Sequence, residues 1–172
     1  MAHLQGGARL ARTFAEALAA AGKPIHVEAT AAGTLLHDVG RALGQHEDHP
    51  RAGTVHLRHT PLAAYGFGCI SHFTKGASAK KLIKAGVAKS LVKDMDRLVD
   101  LSRLTWEERC CALADACMKQ DTPVPPAERF EDLRARYDSH DVIALQEARV
   151  AKIRRKLERV LGRDPLELVG LA

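Results

Sequence analysis

Apolar residues recur at intervals of three and four along nearly the whole chain, and this spacing limits what it can fold into more than any motif does. Leu4, Leu10, Phe14, Ala17, Leu18 and Ala21 form the first stripe, which Gly22-Lys23-Pro24 stops. A second helix is expected over 27–43, where Ala29, Ala32, Leu35, Leu36 and Val39 give a mostly apolar surface suited to the middle of a bundle. Residues 45–50 read as a polar turn, with Pro50 in the first turn of a short helix to about His59. Another helix follows Thr60-Pro61 and ends in the 66–75 region. Residues 76–93 read as one or two short amphipathic pieces around Gly86, and 94–100 as a polar connector anchored by Met95, Leu98 and Val99. Thr105-Trp106-Glu107-Glu108 is a capping box, in which Thr105 and Glu108 each satisfy a free N–H at a helix start. The helix it opens carries Cys110, Leu113, Ala114 and Cys117. Residues 122–126 break it, and a last long helix is expected over 139–161, with Gly162 as its stop. No stretch alternates like a strand. The expected fold is all-α, a compact helical bundle with a long C-terminal helix.

Composition narrows the function classes. With 46% apolar and 27% charged residues, the chain is not globally disordered. No apolar run approaches the roughly 18 residues a membrane-spanning helix needs, so no membrane partner is expected. Aromatic residues are only 4%, which disfavours base-stacking nucleic-acid modules. Cys69, Cys110, Cys111 and Cys117 lack metal-finger spacing and suit buried, reduced, small hydrophobes. The first residues lack the basic start and apolar core of a signal peptide, so the reducing cytoplasm is the expected location.

The net charge of +5 is concentrated. Lysines 75, 80, 81, 84, 89 and 93 occupy a stretch with no acidic residue, and Arg149, Lys152, Arg154, Arg155, Lys156 and Arg159 make a second. Each is either a solvated helix face or an attractor of anions. The anion expected is a phosphorylated small molecule, with nucleic acid the less favoured partner. Oligomeric state is not legible.

Histidine is over-represented, with nine copies, seven of them between His26 and His72. The informative ones stand beside carboxylates. Leu35-Leu36-His37-Asp38-Val39-Gly40-Arg41 puts a charged pair in an apolar helical stretch, where leaving either group unpaired would be costly. His3 and Asp115 are further ionisable residues in apolar helical contexts. Read in order, His3, His37-Asp38 and Asp115 resemble the H…HD…D signature of the HD-domain metal-dependent phosphohydrolases. The flanks resemble it too: residues 35–41 are similar to the family's LLHDIGK stretch with Arg41 in place of lysine, and Ala112-Leu113-Ala114-Asp115 to its ALAD helix. His49-Pro50-Arg51-Ala52-Gly53 resembles the HPxxG segment, and His72 falls where a further histidine is common.

The resemblance implies an HD-type metal-binding helical domain over 1–137, with 138–172 a helical extension packed on it. It implies His3, His37, Asp38 and Asp115 as metal ligands, with Asp38 shared when a second ion binds. That second ion would use His49 and His72; otherwise these two would orient or protonate phosphate oxygens beside the catalytic Asp38. A mixed N/O donor set suits Mn, Fe, Co, Ni or Zn, with Mg a further option, as one or two ions. Arg41 and Lys75 are the candidate phosphate contacts, Arg41 bidentate and Lys75 a point charge. The implied activity is hydrolysis of a phosphate ester or anhydride, with a nucleotide the foremost substrate. The alternatives are a di-iron oxygenase on the same fold and a non-catalytic nucleotide- or nucleic-acid-binding module. His26, His46, His56, His59 and His140 are expected to have ordinary surface or packing roles.

Overall fold

Helix α1 (Ala2–Ala20) buries Leu10, Ala11, Phe14, Ala15 and Leu18 along one stripe, and this stripe seeds the larger of two hydrophobic clusters. The structure is a computed structural model that describes residues 2–43 and 48–172. Most of the described chain is helical: α2 (Val27–Leu35), α3 (His49–Arg58), α4 (Phe67–Thr74), α5 (Ala79–Lys84), α6 (Lys89–Leu98), α7 (Trp106–Ala116), α8 (Pro126–Arg136) and α9 (His140–Leu161), with short 3-10 turns between some of them. The all-α bundle expected from the periodicity is the fold observed. No described helix is long and apolar enough to cross a membrane.

Helix α7 runs through the centre, packed against α1, α2, α4 and α9. Its Thr105–Glu108 capping box is formed reciprocally, as its sequence predicts. Cys110, Leu113, Ala114 and Cys117 join Phe14 and Leu18 in the larger cluster, and Ile143, Val150, Ile153 and Leu157 of α9 complete it. Fully burying each Leu, Ile or Phe is worth about 1.5–3 kcal/mol, so the long C-terminal helix belongs to the main core. A smaller cluster of Ile70, Leu82, Val92, Met95 and Leu101 lies under α4, α5 and α6. All four cysteines are buried and unbridged.

Helices α2 and α4 approach closely enough for glycine to be required. A β-carbon on Gly68 would stand 2.2 Å from the Gly33 carbonyl oxygen. This contact brings the end of α2, and the His37 that follows it, beside His72 on α4.

Three expectations need correction. The helix over 27–43 does not run through: α2 stops at Leu35, and a 3-10 turn takes over at Val39–Leu43. The local bonds show why, since Val39 N–H donates to Leu36 O and Arg41 N–H to Asp38 O, each three residues back. The stretch over 94–100 is no connector, because most of it continues α6; Val92 and Met95 face inward while Asp96 and Arg97 face solvent. The helix opened at Thr105 stops at Ala116, ahead of residues 122–126, and the last of the prolines opens a helix that the sequence pattern did not predict. Pro126 occupies the first helical position of α8, where its missing N–H costs nothing. Two short strands, β1 (Met118–Lys119) and β2 (Thr122–Pro123), pair antiparallel just before it, too short to leave an alternating pattern. Of the expected turn over 45–50, residues 45–47 lie outside the described residues, as does His46.

Candidate metal centre

His37 and Asp38 lie just past the end of α2. In an unbroken helix the Thr34 carbonyl would serve the Asp38 N–H. Here it stands 2.6 Å from His37 Nδ1 instead. A carbonyl can only accept, so Nδ1 donates and, in the neutral ring, Nε2 keeps its lone pair. His72 repeats the arrangement one helical turn after Gly68, with Nδ1 3.0 Å from the Gly68 carbonyl. His3, in the first turn of α1, does so with the Gln120 carbonyl at 2.7 Å. Gln120 sits at φ 52 in the turn between β1 and β2, which delivers that carbonyl to His3. Backbone carbonyls thus fix three imidazoles in the tautomer that a metal requires.

The carboxylates close the cluster. Asp115 Oδ1 is 3.6 Å from His37 Nε2 and 3.8 Å from His3 Nε2. Its Oδ2 is 2.9 Å from Lys75 Nζ. Asp38 divides its oxygens. Oδ2 lies 3.7 Å from His37 Nε2 and 2.8 Å from Arg41 Nε. Oδ1 lies 3.2 Å from His49 Nε2 and 3.5 Å from His72 Nε2, and those two nitrogens are 3.1 Å apart. Donor atoms sharing one first-row ion at about 2.0–2.2 Å stand roughly 3.0–3.6 Å from one another. Two triads, His3–His37–Asp115 and His37–Asp38–His72, each bring their ligand atoms within 4.8 Å. Both could hold a metal ion.

The fit is also electronic. Among the described residues, His37 Nε2 and Asp38 Oδ1 are buried and make no hydrogen bond, although Oδ1 lies within ion-pair distance of His49. Such orphaned groups cost free energy unless something absent from the polypeptide satisfies them. Burial pushes the Asp38 carboxyl up, but His49, His72, His37 and Arg41 outweigh it and hold it far below the usual carboxylate range. Asp115 is likewise buried yet held well below that range, by Lys75 and His37. Burial and the neighbouring His37 push the His72 imidazole down to about 3, leaving its Nε2 lone pair available. Burial pulls His37 down as well, but Asp115 and Asp38 more than offset it and raise it. A cation would take the place of that proton.

All of these groups except His37 line a cavity of about 720 Å³. The structure brings together all of His3, His37, Asp38, His49, His72, Asp115, Arg41 and Lys75. Lys75, expected as a phosphate contact, is 3% exposed with its ammonium on Asp115 Oδ2 and the Ala112 carbonyl. Its charge is committed to a carboxylate. Arg41 bonds Asp38 but leaves its side chain 45% exposed at the cavity. His26, His56, His59 and His140 are on the surface, as expected. The sequence reading did not find the carbonyls of Thr34, Gly68 and Gln120, because a backbone acceptor has no side-chain signature. It also did not find the part of the cavity lining that α8 and α9 supply from beyond the signature residues.

Comparison with protein-family models, curated proteins and solved structures gives no match. Any functional reading therefore rests on the residues and their geometry.

Proposed function

We propose that the chain is a metal-dependent phosphohydrolase of the HD type, acting on a phosphorylated small molecule. The observation that supports this most is the division of Asp38, with one oxygen toward His37 and the other toward His49 and His72. A carboxylate so placed suits a ligand between two cation positions, His3, His37 and Asp115 serving one and His49 and His72 the other. A bound divalent ion would supply acidity to a water and positive charge to phosphoryl oxygens at neutral pH. The imidazoles would be held by their carbonyls so that each Nε2 keeps its direction. Arg41, anchored on Asp38 at the rim, would contact a phosphoryl oxygen from the cavity side. Lys75 would keep Asp115 ionised and turned toward His3 and His37. If one ion binds, His49 and His72 would instead orient the phosphate.

The test is phosphate release by metal-depleted protein with Mn, Fe, Co, Ni or Zn added back, against nucleotides, aryl and alkyl phosphates, a phosphodiester and pyrophosphate. Turnover that needs metal and disappears in both Asp38→Ala and Asp115→Ala supports the reading. Folded, metal-loaded protein inert toward the whole panel contradicts it. The number of donors, four histidines and two aspartates, also favours a second reading, a di-iron oxygenase. Oxygen uptake by protein loaded with ferrous iron, in the absence of phosphatase activity, would select it.

A further inference from the structure

The cavity is much larger than a phosphate. Its volume of about 720 Å³ compares with roughly 30 Å³ for each water, so a phosphoryl group would fill a small part of it. The lining is also mixed in chemistry. Imidazoles, carboxylates and Arg41 supply part of the lining, whereas Val87, Leu91, Phe130, Leu133, Val142 and Ile143 supply an apolar part. These apolar residues come from two stretches, 87–91 at the start of α6 and 130–143 across α8 and α9.

Four polar side chains stand among the apolar ones, and the two largest each spend a donor within the protein. Gln146 Nε2 donates to the Phe73 carbonyl at 2.7 Å, and Arg129 Nη1 pairs with Asp132 Oδ2 at 3.0 Å. Tyr137 and Ser139 stand at the exposed edge. A site that reads the hydrogen-bonding edge of a base or the hydroxyls of a sugar aims several polar groups at it, because an unmatched polar ligand atom loses its water without replacement. An apolar body loses nothing on the same walls.

From this we infer that the cavity binds a phosphate whose organic part is apolar, an alkyl or aryl phosphate, with the hydrocarbon lying against the apolar part of the lining. The inference rests on the proposed phosphohydrolase reading for the phosphate end only. It narrows the substrate away from the nucleotide that the sequence suggested.

The experiment is calorimetric binding of n-alkylphosphonates, from methyl to octyl, and of a nucleoside monophosphate to metal-loaded protein. Phosphonates are not hydrolysed, so the result does not depend on turnover. Failure of the phosphohydrolase reading would show separately as absent phosphate release. Each methylene buried should tighten binding by up to about fourfold, so octylphosphonate should bind at least a hundredfold more tightly than methylphosphonate and more tightly than the nucleotide. Val142, which joins neither hydrophobic cluster among the described residues, is the position to alter without disturbing the core. Val142→Asn, or the smaller Val142→Ser, should cut the gain with chain length by tenfold or more and leave methylphosphonate affinity and metal content unchanged. A flat series in the unaltered protein, an undiminished one in both variants, or tighter binding of the nucleotide would overturn the inference.

Discussion

The Gly40 backbone lies directly against that of His49: a β-carbon on Gly40 would stand 2.0 Å from the His49 carbonyl oxygen. The same β-carbon would be 2.8 Å from the Gly53 nitrogen, so the glycines of both motif stretches meet at one point. That contact seats the start of α3 beside the 3-10 turn and brings His49 to Asp38. Gly40→Ala should therefore separate the two. The expected outcome is a loss of about 1–3 kcal/mol in denaturant unfolding, the usual cost of overpacking, together with weaker metal binding. An unchanged unfolding midpoint would show that the contact yields easily.

Lys75 should act through Asp115. Its ammonium is buried 2.9 Å from Oδ2, and removing one partner of a buried pair typically costs about 3–5 kcal/mol because the other charge is stranded. Lys75→Met is expected to lower the thermal midpoint. In preparations that remain folded it should weaken metal affinity by about 10–100-fold, as loss of a group orienting a ligand does. Full metal affinity in that variant, with only phosphate affinity reduced, would return Lys75 to the phosphate-binding role.

The thiols should be inert in the folded chain. Burial pushes Cys69, Cys111 and Cys117 up to about 12, and Cys110 up as well. A thiol-specific chromogenic reagent at mildly alkaline pH is expected to label no cysteine in native protein and all four after denaturation. Rapid labelling of a native thiol would place that cysteine outside the core described.

Helical periodicity made the bundle legible, and the capping box at Thr105 located α7 to the residue. The ordered histidines and aspartates singled out the residues that the fold brings together. The break after Leu35 was not legible, because Ala32, Leu35, Leu36 and Val39 keep helical spacing across it. The stop comes from tertiary contact at Gly40 and from His37 taking the Thr34 carbonyl, neither of which an apolar pattern encodes. The Lys75–Asp115 pair was not legible for a related reason. Lys75 stands at the start of a lysine-rich segment and reads as a phosphate contact, whereas its left-handed backbone at φ 48 ends α4 with its side chain buried on Asp115. The α8 stretch did not read as a helix at all and α9 only as a long last helix, and only the fold brings both to the cavity that the histidines line.

The claim beneath all of this is that the His–Asp cluster holds a divalent cation. Elemental analysis after equilibration with Mn, Fe, Co, Ni or Zn and removal of free ions tests it most directly. The account predicts at least one ion per chain, lost on His37→Ala and on Asp115→Ala while both variants keep their helical circular-dichroism spectrum. Unaltered, folded protein that retains none of the five metals, or variants that retain as much as it does, would contradict the account.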